Sequence, residues 1–268
     1  MARKLLQERV AIITGAGAGI GRGIALNFAR EGANIIVAEF NEESGTQTAA
    51  ELQQLGVKAK FVFTDIGDLD SVEAAVAKTI SEFDRVDILV NNAYPTMKYM
   101  PEDVEAIGEQ RLQDSMLAGF HAVATTMRAV FPHMKAMEWG RIINICSLNG
   151  VNAHKFTVDY NAAKEAVRAY TRTAAVEWAQ YGITANIICP AAVTTPFKML
   201  EKTAPKIVGE AARSNPMGRM GDPDKDIGGV ALCLASDYCQ YVTGNTLFVD
   251  GGSHVNGTPW GAEKPDFG

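Results

Sequence analysis

The chain has 268 residues, 47% of them hydrophobic and 21% charged, and its formal net charge is −6. This length suits one large core, and an acidic chain without a dense basic patch argues against nucleic acid as a partner. No apolar run reaches the roughly 18 residues that span a bilayer, and the four histidines are scattered, so we predict neither a membrane segment nor a metal site.

Short β-branched runs alternate with longer amphipathic stretches along the whole chain. In chain order, the strands are predicted at 10–14, 34–40, 59–65, 86–92, 140–147, 183–190 and 246–250. The helices are predicted at 20–32, 42–55, 69–83, 109–137, 158–182 and 223–235, with one more between the fourth strand and residue 109. This alternation predicts an α/β fold, a doubly wound Rossmann-type parallel sheet of about seven strands with helices on both faces. We expect 1–268 to form a single domain.

Two segments fall outside this alternation. The stretch at about 195–215 is mixed and interrupted by prolines, and we interpret it as a flap. Residues 253–268 form a C-terminal extension whose Gly and Pro content argues against a helix. Its Trp260 and Phe267 are candidates to anchor it across a neighbouring subunit; a disordered tail is the alternative.

The four cysteines follow no metal-binding or redox spacing. Cys146 and Cys189 lie in apolar strand-like runs, which predicts that they are small buried hydrophobic residues. No signal peptide is predicted at the N-terminus. A reducing cytoplasm is therefore the expected location.

A glycine-rich turn, TGAGAGIG at 14–21, directly follows the first strand and opens the first helix. In a doubly wound sheet such a loop lies at the carboxyl ends of the strands, where the helix N-terminus offers N–H groups to a pyrophosphate. The pattern GxGxxG does not occur; the usable spacing is Gly15-xxx-Gly19-x-Gly21. A tight turn alone would also favour glycine, so the flanking strand and helix carry much of the argument.

Glu39 ends the second strand, eighteen residues after Gly21. A carboxylate at this position can bind both hydroxyls of an adenosine ribose and would repel a 2′-phosphate. Neither Ala18 in the loop nor Phe40 after Glu39 supplies the positive charge that a 2′-phosphate requires. The sequence therefore favours NAD over NADP, and the alternative is that Glu39 is a solvated charge at a strand end.

Tyr160 and Lys164 are four residues apart on a predicted helix, with Ser147 thirteen residues before the tyrosine. This spacing places the phenol and the ammonium on one helix face. An ammonium about 5 Å away, at an effective dielectric near 20, favours the phenolate by roughly 3 kcal/mol, or about 2 pKa units. Such a pair could exchange a proton near neutral pH; the alternative is an ordinary surface pair.

Several short motifs occur in the order, and on the predicted strand ends, typical of one enzyme family. They are TGxxxGxG at 14–21, NNAY at 91–94, Ser147, YxxxK at 160–164, PAAVTT at 190–195 and VDGG at 249–252. On these motifs, the sequence resembles the short-chain dehydrogenases/reductases of the compact single-domain kind, and the resemblance extends over nearly the whole chain.

The resemblance implies a nicotinamide cofactor, which the Glu39 argument specifies as NAD. Asp65 and Ile66 would hold the adenine, and 190–195 would close over the nicotinamide. The implied cofactor-binding residues are Gly15, Gly19, Ile20, Gly21, Glu39, Asp65, Ile66, Asn92, Ala93, Tyr160, Lys164, Pro190, Val193 and Thr195. The long helices at 109–137 and 159–181 resemble the family's dimer bundle, which implies a homotetramer or homodimer.

The resemblance also implies a catalytic role for three residues. Tyr160 would protonate the carbonyl oxygen during reduction or deprotonate the alcohol during oxidation. Lys164 would lower the Tyr160 pKa and hold the nicotinamide ribose, and Ser147 would hydrogen-bond the substrate oxygen. The implied activity is hydride transfer between the cofactor and a small-molecule alcohol or ketone.

Three positions depart from the family pattern. Met116 stands where an asparagine normally serves a proton relay, and a thioether cannot replace an amide. The relay would then use Ser115, or water alone. Tyr94 replaces a glycine, which would be strained if that position needs a positive φ. Ala191 replaces the glycine after Pro190 and is expected to press on the nicotinamide or narrow the substrate mouth.

The loops expected to line the substrate pocket are rich in aromatic residues and methionine. The pocket candidates are Tyr94, Asn149, Phe156 and Phe197, with Met97, Tyr99, Met100, Met199, Leu200 and Trp260 beside them. A large apolar surface favours a bulky lipophilic, possibly cyclic or aromatic, secondary alcohol or its ketone. Several of these residues could instead pack into the core or an oligomer interface.

Other readings remain at this point. A nucleotide-binding regulator or scaffold with weak catalysis is motivated by the three departures and opposed by the intact Ser147, Tyr160 and Lys164. An enoyl reductase usually spaces its Tyr and Lys as YxxxxxxK, and the YxxxK spacing argues against it.

Overall fold

Residues 4–95, 100–203 and 205–256 are described by a computed structural model. A seven-stranded sheet, all of whose pairs are parallel, has the order β3-β2-β1-β4-β5-β6-β7. Its strands are β1 (Val10–Thr14), β2 (Asn34–Glu39), β3 (Ala59–Phe63), β4 (Ile88–Asn91), β5 (Gly140–Ile145), β6 (Ile183–Pro190) and β7 (Thr246–Val249). The predicted doubly wound sheet is confirmed.

The α-helices of the described residues cover both faces of this sheet. They are α1 (Gly19–Arg30), α2 (Glu42–Gln54), α3 (Leu69–Phe83), α4 (Glu109–Met116), α5 (Ala122–Ala136), α6 (Leu148–Val151), α7 (Val158–Trp178), α8 (Thr195–Thr203), α9 (Pro205–Ser214), α10 (Gly229–Ala235) and α11 (Ser253–Asn256). No helix among these residues is both long and apolar enough to cross a membrane.

Alternate residues of the central strands pack in two different hydrophobic cores, one on each face of the sheet. Ile13 of β1 packs in the core that contains Phe28 of α1, whereas its neighbour Ile12 packs in the core that contains Met127 of α5. Successive side chains of a strand point to opposite faces, so a strand covered on both faces must be apolar throughout. Every residue of β1 is buried, which is why its sequence shows no polar alternation.

A buried polar network ties the two central strands to the helices on one face. The amide of Asn91 on β4 donates to Asn144 Oδ1 on β5 at 2.9 Å, and Asn144 donates to Thr171 Oγ1 on α7 at 2.7 Å. Thr126 on α5 donates to Asn91 Oδ1 at 2.7 Å. Because buried amides need partners, this network holds β4 and β5, the strands that end beside the site, in one register.

The structure corrects several element predictions. The flap at 195–215 consists of two helices, α8 and α9. The predicted helix at 109–137 is interrupted by a π-helical turn at Leu117–His121, and the helix expected before it is a short 3₁₀ turn at Val104–Ala106. The extension begins with the short helix α11, where no helix was expected. Trp260 and Phe267 lie outside the described residues.

Candidate active site

The predicted site residues converge on one edge of the sheet. Because all the strands are parallel, their carboxyl ends lie at the same edge, and the candidate residues follow or end β1 to β6 there. The loop after β1, the end of β2 and the loop after β4 form the part of this edge assigned to the cofactor. The loop after β5 and the first turns of α7 form the part assigned to catalysis.

The glycine-rich loop adopts conformations that require glycine at two of the predicted positions. Gly15 has a φ of +65°, and a Cβ there would lie 3.0 Å from the backbone of Ala93. A Cβ at Gly21 would lie within 2.3 Å of the Gly15 carbonyl oxygen, so a side chain would open the turn. Helix α1 then starts after Ala18, which forms no side-chain cap. The first N–H groups of α1 are therefore left to a ligand or to water.

Thr14 and Asn92 lock the loop after β4 to the glycine-rich loop. The Asn92 amide donates to the carbonyl oxygens of Thr14 and Gly15, at 3.0 and 3.1 Å. The Thr14 hydroxyl accepts the backbone N–H groups of Asn92 and Ala93 at 2.9 and 3.1 Å. Asn92 thus shapes the cofactor loop with its side chain. Thr14 was not among the predicted site residues, although it directly precedes Gly15.

The carboxylate of Glu39 lies against the glycine-rich loop. It accepts the Gly17 N–H at 3.0 Å, and its other oxygen accepts the N–H groups of Phe40 and Asn41 at 2.9 and 3.0 Å. A Cβ on Gly17 would lie 2.9 Å from Glu39 Cγ and 2.4 Å from Ser44 Oγ. Gly17, which was not predicted, is therefore needed for the close approach of Glu39.

The residues assigned to the adenine lie at the end of β3. Asp65 accepts the Gly67 N–H at 2.8 Å, and both Asp65 and Ile66 are partly exposed. The rings of Phe40 and Phe63 lie beside them with centroids 5.5 Å apart, and both residues are more than half exposed. An exposed aromatic surface here could stack against a flat base.

A cavity of about 320 Å³ lies between the glycine-rich loop and the flap. The residues that line it are Gly17, Ala18, Gly19, Arg22, Gly23, Val193, Lys198, Asp222, Pro223 and Asp224. Val193 also packs on the flap and donates its N–H to Gly221. Of the other predicted positions, Pro190 ends β6 and Thr195 begins α8. The cavity joins α1's uncapped N-terminus to the segment predicted to close over the cofactor.

Ser147, Tyr160 and Lys164 are brought together as predicted. Ser147 follows β5, and its side chain accepts the Asn149 N–H as the N-cap of α6 and lies beside Tyr160. Lys164 is buried, its Nζ donates to the Ile145 carbonyl oxygen at 2.8 Å, and it lies 5.7 Å from the centroid of the Tyr160 ring.

The direction of the Tyr160 pKa differs from the prediction. Tyr160 is partly exposed as a residue, yet its phenol is surrounded by protein, and this burial raises the pKa above its ordinary value. The hydrogen bond with Ser147 acts in the opposite direction without offsetting burial. Burial also lowers the pKa of Lys164. Desolvation outweighs the attraction that predicted a lowered Tyr160 pKa.

The three departures have structural outcomes. Tyr94 does not have a positive φ, so the backbone strain considered for that position is absent. Its ring packs on Tyr160. Met116 ends α4, and the residue before it, Ser115, the alternative relay residue, is buried and contacts Asp159 Oδ2 and Tyr94 Oη. Ala191 bonds through its backbone to Val249 and Gly221. Asp159, which directly precedes Tyr160, was not among the predicted residues.

The predicted substrate-pocket residues do not all lie at one surface. Phe197 is buried in a small flap core with Val208 and Ala211. Asn149 lies on α6, and Phe156 has a φ of +66° and accepts the Glu102 N–H through its carbonyl oxygen. Met97 and Tyr99 lie outside the described residues, as does the Leu200 side chain, while Met100 and Met199 are more than half exposed.

Comparison with known proteins places this arrangement in a family. Residues 15–254 match a family model described as enoyl-(acyl carrier protein) reductase. A short-chain dehydrogenase/reductase of Aspergillus oryzae is 39% identical over 251 residues, covering 92% of this chain and 95% of its own. The chain belongs to the short-chain dehydrogenase/reductase family. It is an oxidoreductase of that family.

Two further members show how far the likeness extends. A 12alpha-hydroxysteroid dehydrogenase of a Clostridium species is 36% identical to this dehydrogenase/reductase, over 92% of this chain and 97% of its own. A solved structure described as an NAD(P)-dependent gluconate 5-dehydrogenase of Beutenbergia cavernae, with NADP bound at low occupancy, superposes with a TM-score of 0.86. It is 32% identical and covers 95% of this chain and all of its own.

Proposed function

We propose that the protein is an NAD-dependent oxidoreductase that interconverts a lipophilic secondary alcohol and its ketone, with Ser147, Tyr160 and Lys164 as its catalytic residues. The observation that carries the proposal is that buried Lys164 holds its Nζ 5.7 Å from the Tyr160 ring, at the sheet edge where Ser147 follows β5 and which also carries the glycine-rich loop. Substrate oxygen and cofactor would meet at this edge.

Each catalytic residue has a role that its surroundings support. The raised pKa keeps Tyr160 protonated at neutral pH, so its hydroxyl can donate a proton to a ketone oxygen. The Ser147 hydroxyl, fixed at the start of α6, can orient that oxygen. Lys164 is held by the Ile145 carbonyl, with two more N–H groups left for a ribose or a water.

The residues present fit a nicotinamide dinucleotide. The α1 N-terminus has no side-chain cap and borders the cavity of about 320 Å³, and the N–H groups of its first turn suit a pyrophosphate. The two carboxylates in the lining have other partners, since Asp224 pairs with Arg30 and Asp222 accepts the N–H groups of Asp224 and Lys225. Glu39 ends β2, where a ribose would bind, and its carboxylate favours the diol of NAD over a 2′-phosphate. When bound, the dinucleotide would supply the hydride acceptor or donor. Arg22 on α1, which also lines this cavity, is paired with Glu51.

We propose a lipophilic substrate because the side chains near Tyr160 are apolar. The ring of Tyr94 packs directly on Tyr160, and two exposed methionines lie in neighbouring segments of the chain, Met100 after β4 and Met199 on α8. Soft, apolar side chains of this kind suit a bulky ring system better than a sugar. The likeness to a 12alpha-hydroxysteroid dehydrogenase supports the same class of substrate.

The test is a turnover screen of the purified protein with NAD⁺ and NADP⁺ over lipophilic cyclic secondary alcohols and sugars, with NADH and NADPH over the ketones. A trans-2-enoyl thioester is included because the matched family model is described as an enoyl reductase. NAD-linked turnover of cyclic alcohols is expected. Binding of NADH without turnover of any compound would refute the proposal and favour a regulator.

Glu39→Gln should relax the cofactor preference. The amide keeps the shape of the side chain but loses the charge that repels a 2′-phosphate, and it accepts hydrogen bonds from the ribose less strongly. We expect the NAD-to-NADP ratio of kcat/KM to fall by about tenfold or more. Glu42→Gln, the same change at an exposed residue in the first turn of α2, should leave the ratio unchanged. An unchanged ratio in Glu39→Gln would contradict the NAD assignment.

The raised pKa of Tyr160 predicts opposite pH profiles for the two directions. Below its pKa the phenolate fraction grows about tenfold per pH unit, so alcohol oxidation should accelerate between pH 7 and 10. Ketone reduction uses the protonated form and should stay flat or decline over the same range. Steady-state kcat/KM in both directions checks this, with preincubation at each pH as the stability control. Oxidation that slows with rising pH would contradict it.

A further inference from the structure

We propose that Tyr94 is a positioning residue for Tyr160 and that it acts through a buried polar chain anchored on Asp159. The chain, which we call the Tyr160 clamp, consists of Tyr94, Ser115, Asp159 and Arg111. The inference rests on the proposed role of Tyr160 in proton transfer. It concerns position 94, where a tyrosine replaces the glycine of the family pattern and its ring packs on Tyr160.

The ring of Tyr94 contacts both members of the Tyr–Lys pair. It meets the Tyr160 ring edge to face, with centroids 4.7 Å apart and planes at 82°. Lys164 Nζ lies 5.2 Å from the centroid of the Tyr94 ring, within the range of a cation–π contact. A residue without a side chain at position 94 could make neither contact, so Tyr160 would lose one wall of its surroundings.

The hydroxyl of Tyr94 is held by a chain of fixed direction. Tyr94 Oη lies 3.3 Å from Ser115 Oγ, and Ser115 Oγ donates to Asp159 Oδ2 at 2.9 Å. Asp159 can only accept when ionised, so the Ser115 proton points to it and Ser115 accepts from Tyr94. The Tyr94 phenol therefore has one preferred orientation, which fixes the rotation of the ring that packs on Tyr160.

Asp159 is held ionised and in place. The guanidinium of Arg111 donates to both carboxylate oxygens, at 2.9 and 3.1 Å, and the residue is buried. Burial alone would raise the pKa of Asp159, but the hydrogen bonds from Arg111 and Ser115 outweigh it and the pKa lies below its ordinary value. One connected group thus fixes the ring of Tyr94 that packs on Tyr160.

The π-helical turn makes room for this arrangement. Gly119 lies in the turn at Leu117–His121, and a Cβ on it would lie 2.8 Å from Tyr94 Cε2 and 2.8 Å from Ala163 Cβ. A methyl group would push Tyr94 away from Tyr160 or push the turn away from α7. The aromatic residue at position 94 therefore depends on the glycine at position 119, and this dependence offers a second way to disturb the clamp.

The test compares Tyr94→Phe, Tyr94→Ala, Ser115→Ala and the double variant Tyr94→Phe/Ser115→Ala. Tyr94→Ala removes the ring, and we expect kcat to fall about a hundredfold with little change in the KM for the cofactor. Tyr94→Phe and Ser115→Ala keep the ring but break the same hydrogen bond, so each should lower kcat by about fivefold and the double variant by no more than the larger single effect. Tyr181→Phe, whose ring packs on Phe131 at the other end of α7, is the control and should match the wild type.

A second readout does not depend on turnover. Tetranitromethane nitrates exposed phenolates, and peptide mass spectrometry can follow Tyr160 alone. Nitration of Tyr160 should be about fivefold faster or more in Tyr94→Ala than in the wild type, because water and reagent reach the phenol. Ser147 and Lys164, which lie beside Tyr160, are unchanged in this variant.

The two readouts separate the failure of this inference from the failure of the proposed function. If the wild type turns over no substrate but Tyr160 is nitrated faster in Tyr94→Ala, the clamp stands and the function fails. If a folded Tyr94→Ala variant, judged by its melting temperature, keeps both the wild-type kcat and the wild-type nitration rate, the clamp is refuted. Should Tyr94→Ala not fold, strictly additive losses in Tyr94→Phe and Ser115→Ala would refute it equally.

Discussion

Replacing Tyr160 by Phe is expected to lower kcat/KM for the alcohol and for the ketone by about a thousandfold, while NADH binding stays within about twofold. The substitution removes the only atom that can exchange a proton with the substrate oxygen in the proposed mechanism. The ring that packs on Tyr94, with centroids 4.7 Å apart, is kept. The effect should therefore be chemical and not structural. Turnover assays with NADH fluorescence titration would measure both quantities.

The matched control is Tyr170→Phe, on the same helix. Tyr170 packs edge to face on Phe120 and lies ten residues further along α7 than Tyr160, about 15 Å away along the helix axis. We expect this variant to retain wild-type kcat/KM. If Tyr160→Phe kept more than about a tenth of the wild-type activity, another group would have to transfer the proton, and the role assigned to Tyr160 would be wrong.

Asp87→Ala should destabilise the fold by about 3 kcal/mol or more. The Asp87 side chain is fully buried at the start of β4, where its oxygens accept Arg9 Nη1 at 2.9 Å, Arg85 Nε at 2.8 Å and the Val10 N–H at 2.9 Å. Removing the carboxylate would leave the Val10 N–H buried without this acceptor. It would also leave two guanidinium groups without their counter-charge. The midpoint of urea-induced unfolding would report the loss.

The control for this variant is Glu177→Ala, which removes an exposed carboxylate from α7. Its expected effect is within about 0.5 kcal/mol. Asp87 lies at the opposite edge of the sheet from the site, so kcat of the remaining folded Asp87→Ala protein should be unchanged. A loss of stability below about 1 kcal/mol would show that water replaces the hydrogen bonds of the Asp87 carboxylate at little cost.

The sheet could be predicted because its causes are local in the sequence. Ile12 and Ile13 pack in different cores, so β1 is covered on both faces and its sequence is apolar without interruption. An apolar strand of this kind, followed by a glycine turn and an amphipathic helix, fits few folds other than a parallel sheet covered by helices. The flap could not be assigned in the same way. Its helices α8 and α9 share a small core around Phe197, and their prolines are also typical of irregular loops.

The sequence by itself determined which chemical groups are available and at which strand ends they lie. The glycine loop and Glu39 could be named because parallel strands bring their carboxyl ends to one edge, whereas Ser147, Tyr160 and Lys164 could be named from their spacing and from the family motifs they resemble. The tertiary structure alone decided how these groups interact. A pKa depends on desolvation and on partners far apart in the chain, so burial raised the pKa of Tyr160 where helix spacing predicted a fall. In the same way, the contact of Tyr94 with Tyr160, and the link through Ser115 to Asp159, exist only once β4, α4 and α7 have packed together.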